Sequence, residues 1–589
     1  MKKRLIVGIV YISLIVFALM FVIFNIISNY NEEEDVGMSP KSGNLDLALK
    51  GEESKQVEIT GNIETIIVDD FKNQRSETLY FLNKDGKRYK LELKDPNKIP
   101  FKKATVIGIL KDDTIIVDSI TPSTAMDFDP NLPNWPKTLG EQRYVVVWLT
   151  NNESGEPPDV YNFTNIVFNL SNNFIVESSY GRASVSVGYI YHDVLPIGIV
   201  SPWEIFDYAI ERVDPYVNFN EYDGVIVYHP YTSETYYGGL GTLGKVPLIT
   251  DEGEFNLYRI WTIFEQDYLP TSHWDTVVHE MGHNFGLHHA NSFECGAFPD
   301  RQTFGDLCLM QDYGDNYDLM GAANLQNDYS LRSKKVVLGW IDNSDVLIVN
   351  NGTFFISPFE NNPNNTSAIH GLLVPVLWNS SEISVRYWNG EIGPLTDSRN
   401  PITHYYIEYR RDFNRELFNE VYPYSDNLDQ ELTYGLNFSS IKGGILIRIS
   451  RDNMFWYQPN GEPGGYAFMP TYLLGMHPNS RIIWEGHDLN DNSISNVFAF
   501  LLENETYSDY LNRMRITFLN ANESGALVNI SRMCTPMFQS CQVQAECCSP
   551  LACRHNQCVR LCSPSSPCPH MMRCNRYREC EYIYYPTPT

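Results

Sequence analysis

His279 and His283 stand four residues apart in the run His279-Glu280-Met281-Gly282-His283-Asn284-Phe285-Gly286-Leu287-His288-His289. On a helix, that spacing puts both imidazoles on one face, where they can take two corners of a tetrahedral zinc site. Glu280 lies beside them, placed to hold and deprotonate a metal-bound water. A continued helix would carry His289 about 120° round and about 9 Å further along, out of reach. Gly286 can take φ > 0 and end the helix, so the chain can turn back and deliver His289. Three protein ligands leave a fourth position for water, the mark of a catalytic zinc. The sequence therefore predicts Zn2+ held by His279, His283 and His289, with Glu280 as general base. His-Glu-x-x-His alone also arises by chance in unrelated helices, but the extended pattern fixes five positions. His288 is expected at an outer or exposed position. Cys295 could ligate metal, but a disulfide with Cys308 is the simpler account.

The motif needs a helix under it. Pro270-Thr271-Ser272 followed by Asp275 reads as a capped start, and Trp274, Val277, Val278, Met281 and Phe285 supply an apolar face. The glycine-rich run from Gly238 to Gly244 precedes it. That run could offer a strand edge to an extended substrate, or be only a loop. Tyr144 to Leu149 and Val225 to Tyr228 read as buried strands. Trp203, Phe206, Ile210 and Val213 recur at helical spacing after Ser201-Pro202. Together these define a catalytic region over 141–345.

Around it the pattern is β-rich. Residues 57–122 hold short strands at Val57-Ile59, Ile63-Val68, Leu79-Leu82, Tyr89-Leu93, Val106-Leu110 and Ile115-Val117. They are separated by turns such as Asp85-Gly86, which predicts a small β-barrel serving as pro-domain or spacer. Residues 346–532 return to strands, as at Tyr405-Tyr409 and Ile445-Ile449, and read as β-sandwich-like. Residues 533–582 hold 10 of the 12 cysteines and resemble a knottin-type module. Its arginines (Arg554, Arg560, Arg573, Arg576, Arg578) lie in a stretch without acids and could contact a glycan or protein, or form a solvated face. The fold class expected is α+β and multidomain.

At the N-terminus, Lys2-Lys3-Arg4 precedes an uncharged apolar run from Leu5 to Ser28. At 24 residues it would span about 36 Å as a helix, enough for a hydrocarbon core of about 30 Å. Residues 1–28 are thus expected to be a transmembrane signal anchor, with 29–56 a linker. The positive-inside rule makes the chain a single-pass type II membrane protein with an extracellular or lumenal catalytic region. A cleaved signal peptide and a secreted protein are the alternative. Eleven Asn-x-Ser/Thr sequons follow the run, and with the even cysteine count they suit an oxidising compartment and a glycoprotein. The net charge of −28 disfavours nucleic acid as a partner.

The extended motif is the signature of the metzincin proteases. Within them the chain most resembles the gametolysin-like zinc metalloproteases, through Ser179-Tyr180-Gly181, the Gly-rich run, His279 to Ala290, Tyr317-Asp318-Leu319-Met320-Gly321, Leu338-Gly339-Trp340, Tyr406-Ile407-Glu408-Tyr409-Arg410 and Gly444-Ile445-Leu446-Ile447-Arg448. The resemblance covers roughly 57–530 and implies a metzincin-type catalytic domain with Met320 in a methionine turn beneath the metal. It also implies a zinc endopeptidase acting on extracellular or surface proteins or glycoproteins. Some metzincins are kept latent by a pro-domain cysteine, but the first cysteine here is Cys295, inside the catalytic region. Any inhibition by residues 29–140 must use another group, such as an aspartate among Asp127-Phe128-Asp129. The competing reading is a catalytically silent scaffold serving as a surface binding or adhesion protein.

Overall fold

The computed structural model describes most of residues 55–561 and short stretches up to residue 582. Residues 1–54, 123–137, 412–442, 477–498 and 534–550 are the longest segments outside the described residues. The protein is mostly β and is built from several sheets.

The largest sheet carries the site. Its strands are β1 (Lys55–Asp70), β2 (Arg75–Lys84), β3 (Lys87–Glu92), β4 (Lys103–Lys111), β5 (Thr114–Pro122), β6 (Gly140–Thr150), β7 (Ala183–Val194), β8 (Gly224–His229), β9 (Gly239–Thr242), β10 (Val246–Thr250) and β11 (Gly253–Ile263). They run β2-β3-β5-β4-β1-β9-β11-β8-β6-β7, with β10 on β11. Val145 and Val147 face one layer of core, while Tyr144, Val146 and Trp148 face another. Strands buried on both faces read as unbroken apolar runs, which is why Tyr144–Leu149 showed no alternation. Helices α1 (Val160–Ser178) and α3 (Trp274–Asn284) cover one face, and α2 (Pro202–Val213) covers the other.

Among the first five strands the pairings run β1–β2–β3–β5–β4 and return to β1. The two short strands expected at 57–59 and 63–68 are one strand of 16 residues. Its second half stays paired with β2 along one edge, with Ile66 opposite Leu79 and Asp69 opposite Ser76, and pairs antiparallel with β9 along the other, putting Ile66 opposite Thr242 and Asp69 opposite Gly239. Ile66 and Val68 are thereby buried in the same core as Leu240 and Trp261, each contributing about 1.5–3 kcal/mol. The expected spacer and the region expected to be catalytic share one continuous sheet.

A buried ion cluster ties the two together. Glu64 on β1 lies 3.0 Å from Arg88 on β3 and 3.3 Å from Arg259 on β11, and accepts a hydrogen bond of 2.9 Å from Asn83. Burial alone would raise the Glu64 pKa, but the two guanidiniums outweigh it and hold the carboxyl below its ordinary range.

The region read as sandwich-like contributes a nine-stranded sheet and a four-stranded sheet that share one core. The larger sheet also recruits Ala290–Glu294 and Leu309–Gln311, so it begins upstream of the boundary expected at residue 345. Of the cysteine-rich tail, the described residues include the strand pairs Leu551–Arg554 with Gln557–Arg560 and Met572–Cys574 with Cys580–Tyr582.

The expected type II membrane anchor is corrected. Crossing a bilayer takes about 20 apolar residues in one helix, and among the described residues no helix is long and apolar enough. The run Leu5 to Ser28 lies outside the described residues.

Candidate metal centre

Helix α3 begins after a short 3-10 turn at Pro270–Ser272, with His273 at its N-cap and no side-chain cap. The capped start expected from Asp275 is not formed; its carboxylate instead accepts from the next amide, Thr276, at 2.7 Å. The other end follows the sequence closely. Gly286 takes φ 96°. The Gly286 amide donates to His283 O at 2.8 Å and the Leu287 amide to Gly282 O at 2.9 Å, a paired C-terminal cap that only a left-handed residue permits. The chain then doubles back, and the Ala290 amide donates to Met320 O at 2.8 Å.

This turn brings His289 beside His279 and His283. Ligating atoms of the three histidines and of Asp69 all lie within 4.8 Å of one another, and all four residues are buried. The group could hold a metal ion. His279 Nδ1 lies 2.8 Å from Leu319 O and His283 Nδ1 lies 2.8 Å from Leu287 O. A carbonyl can only accept, so each Nδ1 carries the proton and each neutral ring turns an Nε2 lone pair inward. Burial lowers the His283 pKa to about 4, which favours that neutral form. Asp69 Oδ2 sits 2.9 Å from His283 Nε2 and 3.4 Å from His279 Nε2, and Asp69 Oδ1 sits 2.9 Å from His289 Nε2. Among the described residues, Nε2 of His279 and of His289 is buried with only the Asp69 carboxylate facing it, outside good hydrogen-bond geometry. Lone pairs facing a carboxylate at such distances call for a shared cation or proton between them, so the donor set fits a zinc-type ion.

Glu280 is fully buried next to this group. Burial and the nearby Asp69 carboxylate push its pKa well above the ordinary range. β9 crosses directly over it: a Cβ on Gly239 would land on the Glu280 carboxylate. The glycine run is therefore needed for close approach of strand to helix.

Met320 lies on the other side of α3, where a Cβ on Gly282 would overlap its sulfur. The surrounding turn is pinned by Asp318, which accepts from the Met320 amide at 3.0 Å and the Ser330 amide at 2.9 Å. Behind it sits a buried charge network. Arg448 donates to Asp315 at 2.6 Å, Arg410 donates to Glu408 at 2.9 Å, and Glu408 also accepts from the Leu331 amide at 2.8 Å. The strand residues singled out at Tyr406–Arg410 and Gly444–Arg448 thus brace the turn rather than merely fill a sheet.

His288 is half-buried and outside the histidine group. Cys295 and Cys308 form a disulfide. Asp127 and Asp129 lie outside the described residues. Two residues at the centre were not anticipated. Asp69 follows the apolar triplet Ile66–Val68, and nothing local distinguishes it from a strand-end acid. Tyr313 opens the segment that contains Met320. Its hydroxyl donates to Asp69 Oδ1, its ring lies 4.1 Å from that of His289, and its backbone takes φ 54°, a conformation that marks constrained sites in non-glycine residues.

No protein-family model matches the sequence, and no curated protein matches it. Among solved structures, a metalloproteinase-II from Bacteroides fragilis aligns at 12% identity over 45% of this chain and 77% of its own, with a TM-score of 0.22. A catalytically inactive OgpA from Akkermansia muciniphila, bound to an O-glycopeptide substrate, aligns at 10% identity over 58% and 94%, with a TM-score of 0.20. A chaperone-substrate complex aligns at 16% identity over 37% and 31%, with a TM-score of 0.17. Likenesses this distant carry no argument about the fold or the chemistry.

Proposed function

We propose that the chain is a zinc-dependent endopeptidase that hydrolyses protein substrates, built on a gametolysin-like metzincin plan. One observation carries this reading: three inward-facing imidazoles converge around one point with a buried glutamate beside them. His279, His283 and His289 would hold the metal, and their carbonyl-bound Nδ1 atoms fix two of the rings in the ligating tautomer. Bound zinc would supply Lewis acidity, polarising a scissile carbonyl and lowering the pKa of water toward about 7. Glu280 accepts the proton of the attacking water and passes it to the leaving amine. Met320, seated against Gly282, supports the helix turn that carries the first two histidines.

A catalytically silent binding scaffold remains the competing reading. Glu280 argues against it, because metal holding by three histidines has no use for a buried carboxyl at that position. The test is metal analysis together with cleavage of a denatured protein, on the purified chain and on Asp69→Ala. About one zinc per chain, and cleavage that o-phenanthroline or Glu280→Ala abolishes, support the endopeptidase. Zinc bound with no cleavage by either form would support the scaffold.

A further inference from the structure

The endopeptidase reading leaves Asp69 unexplained. An open catalytic site needs three protein ligands and a free fourth position, yet a fourth side chain, this one acidic, lies among the histidines. It arrives on β1, far from the motif in sequence, and it does not arrive alone. Residues 66–69 pair with β9 from Thr242 back to Gly239. The Gly238 amide donates to Asp69 O at 2.7 Å and the Leu243 amide to Thr65 O at 2.9 Å. This is the edge of β9 away from β11, the one along which an extended peptide would add as a strand. Just beyond, Phe71 packs edge-on against the His279 ring at 5.2 Å and covers Gly238. Tyr313 completes the enclosure by donating its hydroxyl to Asp69.

We propose that Ile66–Asp69 is a built-in latch that keeps the enzyme latent, with Asp69 taking the fourth position at the metal and β1 taking the substrate's place along β9. This rests on the zinc-endopeptidase reading above. The role sought in a cysteine or in Asp127 and Asp129 falls to Asp69. The alternative for the same geometry is a permanently closed structural site with Asp69 as its fourth ligand. The Glu64 cluster fixes β1 five residues upstream, so the smallest opening that frees the histidines is local unpairing of residues 66–69 from β9, with their β2 partners Ser76–Leu79 moving along with them. The rest of the first five strands can stay docked while the site opens.

The experiment compares the full chain with Asp69→Ala and Asp69→Asn. It reads zinc content, the visible spectrum of the cobalt-substituted protein and cleavage of a denatured protein. The latch predicts that both variants keep the metal, that the cobalt spectrum changes, and that kcat/KM rises about tenfold or more as the open fraction grows. Asp69→Asn keeps the side-chain shape, so it remains informative if Asp69→Ala folds poorly. Loss of zinc without gain of cleavage would overturn the latch in favour of a closed structural site. An unchanged spectrum and rate would show that Asp69 does not act on the metal. Residual wild-type cleavage that still requires Glu280 would then leave the endopeptidase reading standing while the latch falls.

Discussion

Asp69 Oδ2 lies 2.9 Å from His283 Nε2, although the two residues are 214 positions apart in the chain. The contact exists because one strand serves two regions: it pairs with β4 and then β2 of the N-terminal strand set along its length, and its second half is also the neighbour of β9. The region that looked like a spacer therefore reaches the histidine group.

Gly282 and Met320 pack together with no room for a Cβ between them. Gly282→Ala would force a methyl group into the Met320 sulfur. Overpacking of this kind costs about 1–3 kcal/mol. The variant should melt several degrees lower and release zinc faster, as read by calorimetry and chelator competition. Adding Met320→Ala should restore part of the loss, because the two changes share one contact.

Glu408 is the common acceptor for Arg410 and Arg448 behind the methionine-containing turn. Glu408→Gln removes that charge while both guanidiniums stay buried. Breaking a buried ionic cluster in this way costs about 3–5 kcal/mol. Denaturant unfolding should show a loss of that size, and a loss under about 1 kcal/mol would mean that other partners compensate.

How much of this was legible in the sequence follows from the range of each interaction. The histidine spacing, the Gly286 helix stop and the return to His289 are local, and the helix end forms as they predict. The strands at Tyr144–Leu149 and Val225–Tyr228 were legible because burial on both faces writes an unbroken apolar run. The Glu64 cluster and the Asp69 contact were not legible, because each depends on sheet pairing between segments nearly 200 or more residues apart. Arg410 and Arg448 were visible as residues of two strands. Their role was hidden, because a strand pattern says which residues lie inside but not which inward-facing charge meets which.

The Glu64 cluster also sets a pH dependence. The folded-state pKa of Glu64 is depressed, so its stabilisation is present above the unfolded value of about 4.3 and is lost as pH falls through the folded value. The melting temperature of the full chain should fall on acidification below about pH 4.3. Glu64→Gln should be less stable at neutral pH and show a shallower acid slope. An identical slope in the two proteins would mean that Glu64 carries no such linkage.

The most direct test of the central claim is a zinc titration of chain stripped with o-phenanthroline and carrying Asp69→Ala, following cleavage of a denatured protein. Cleavage should vanish on stripping and return in proportion to zinc, saturating near about one ion per chain. Adding Glu280→Ala should leave zinc binding intact and lower the rate about 10²–10⁴-fold. Cleavage that persists without metal or without Glu280 would contradict a zinc endopeptidase, as would a zinc-replete chain that cleaves nothing.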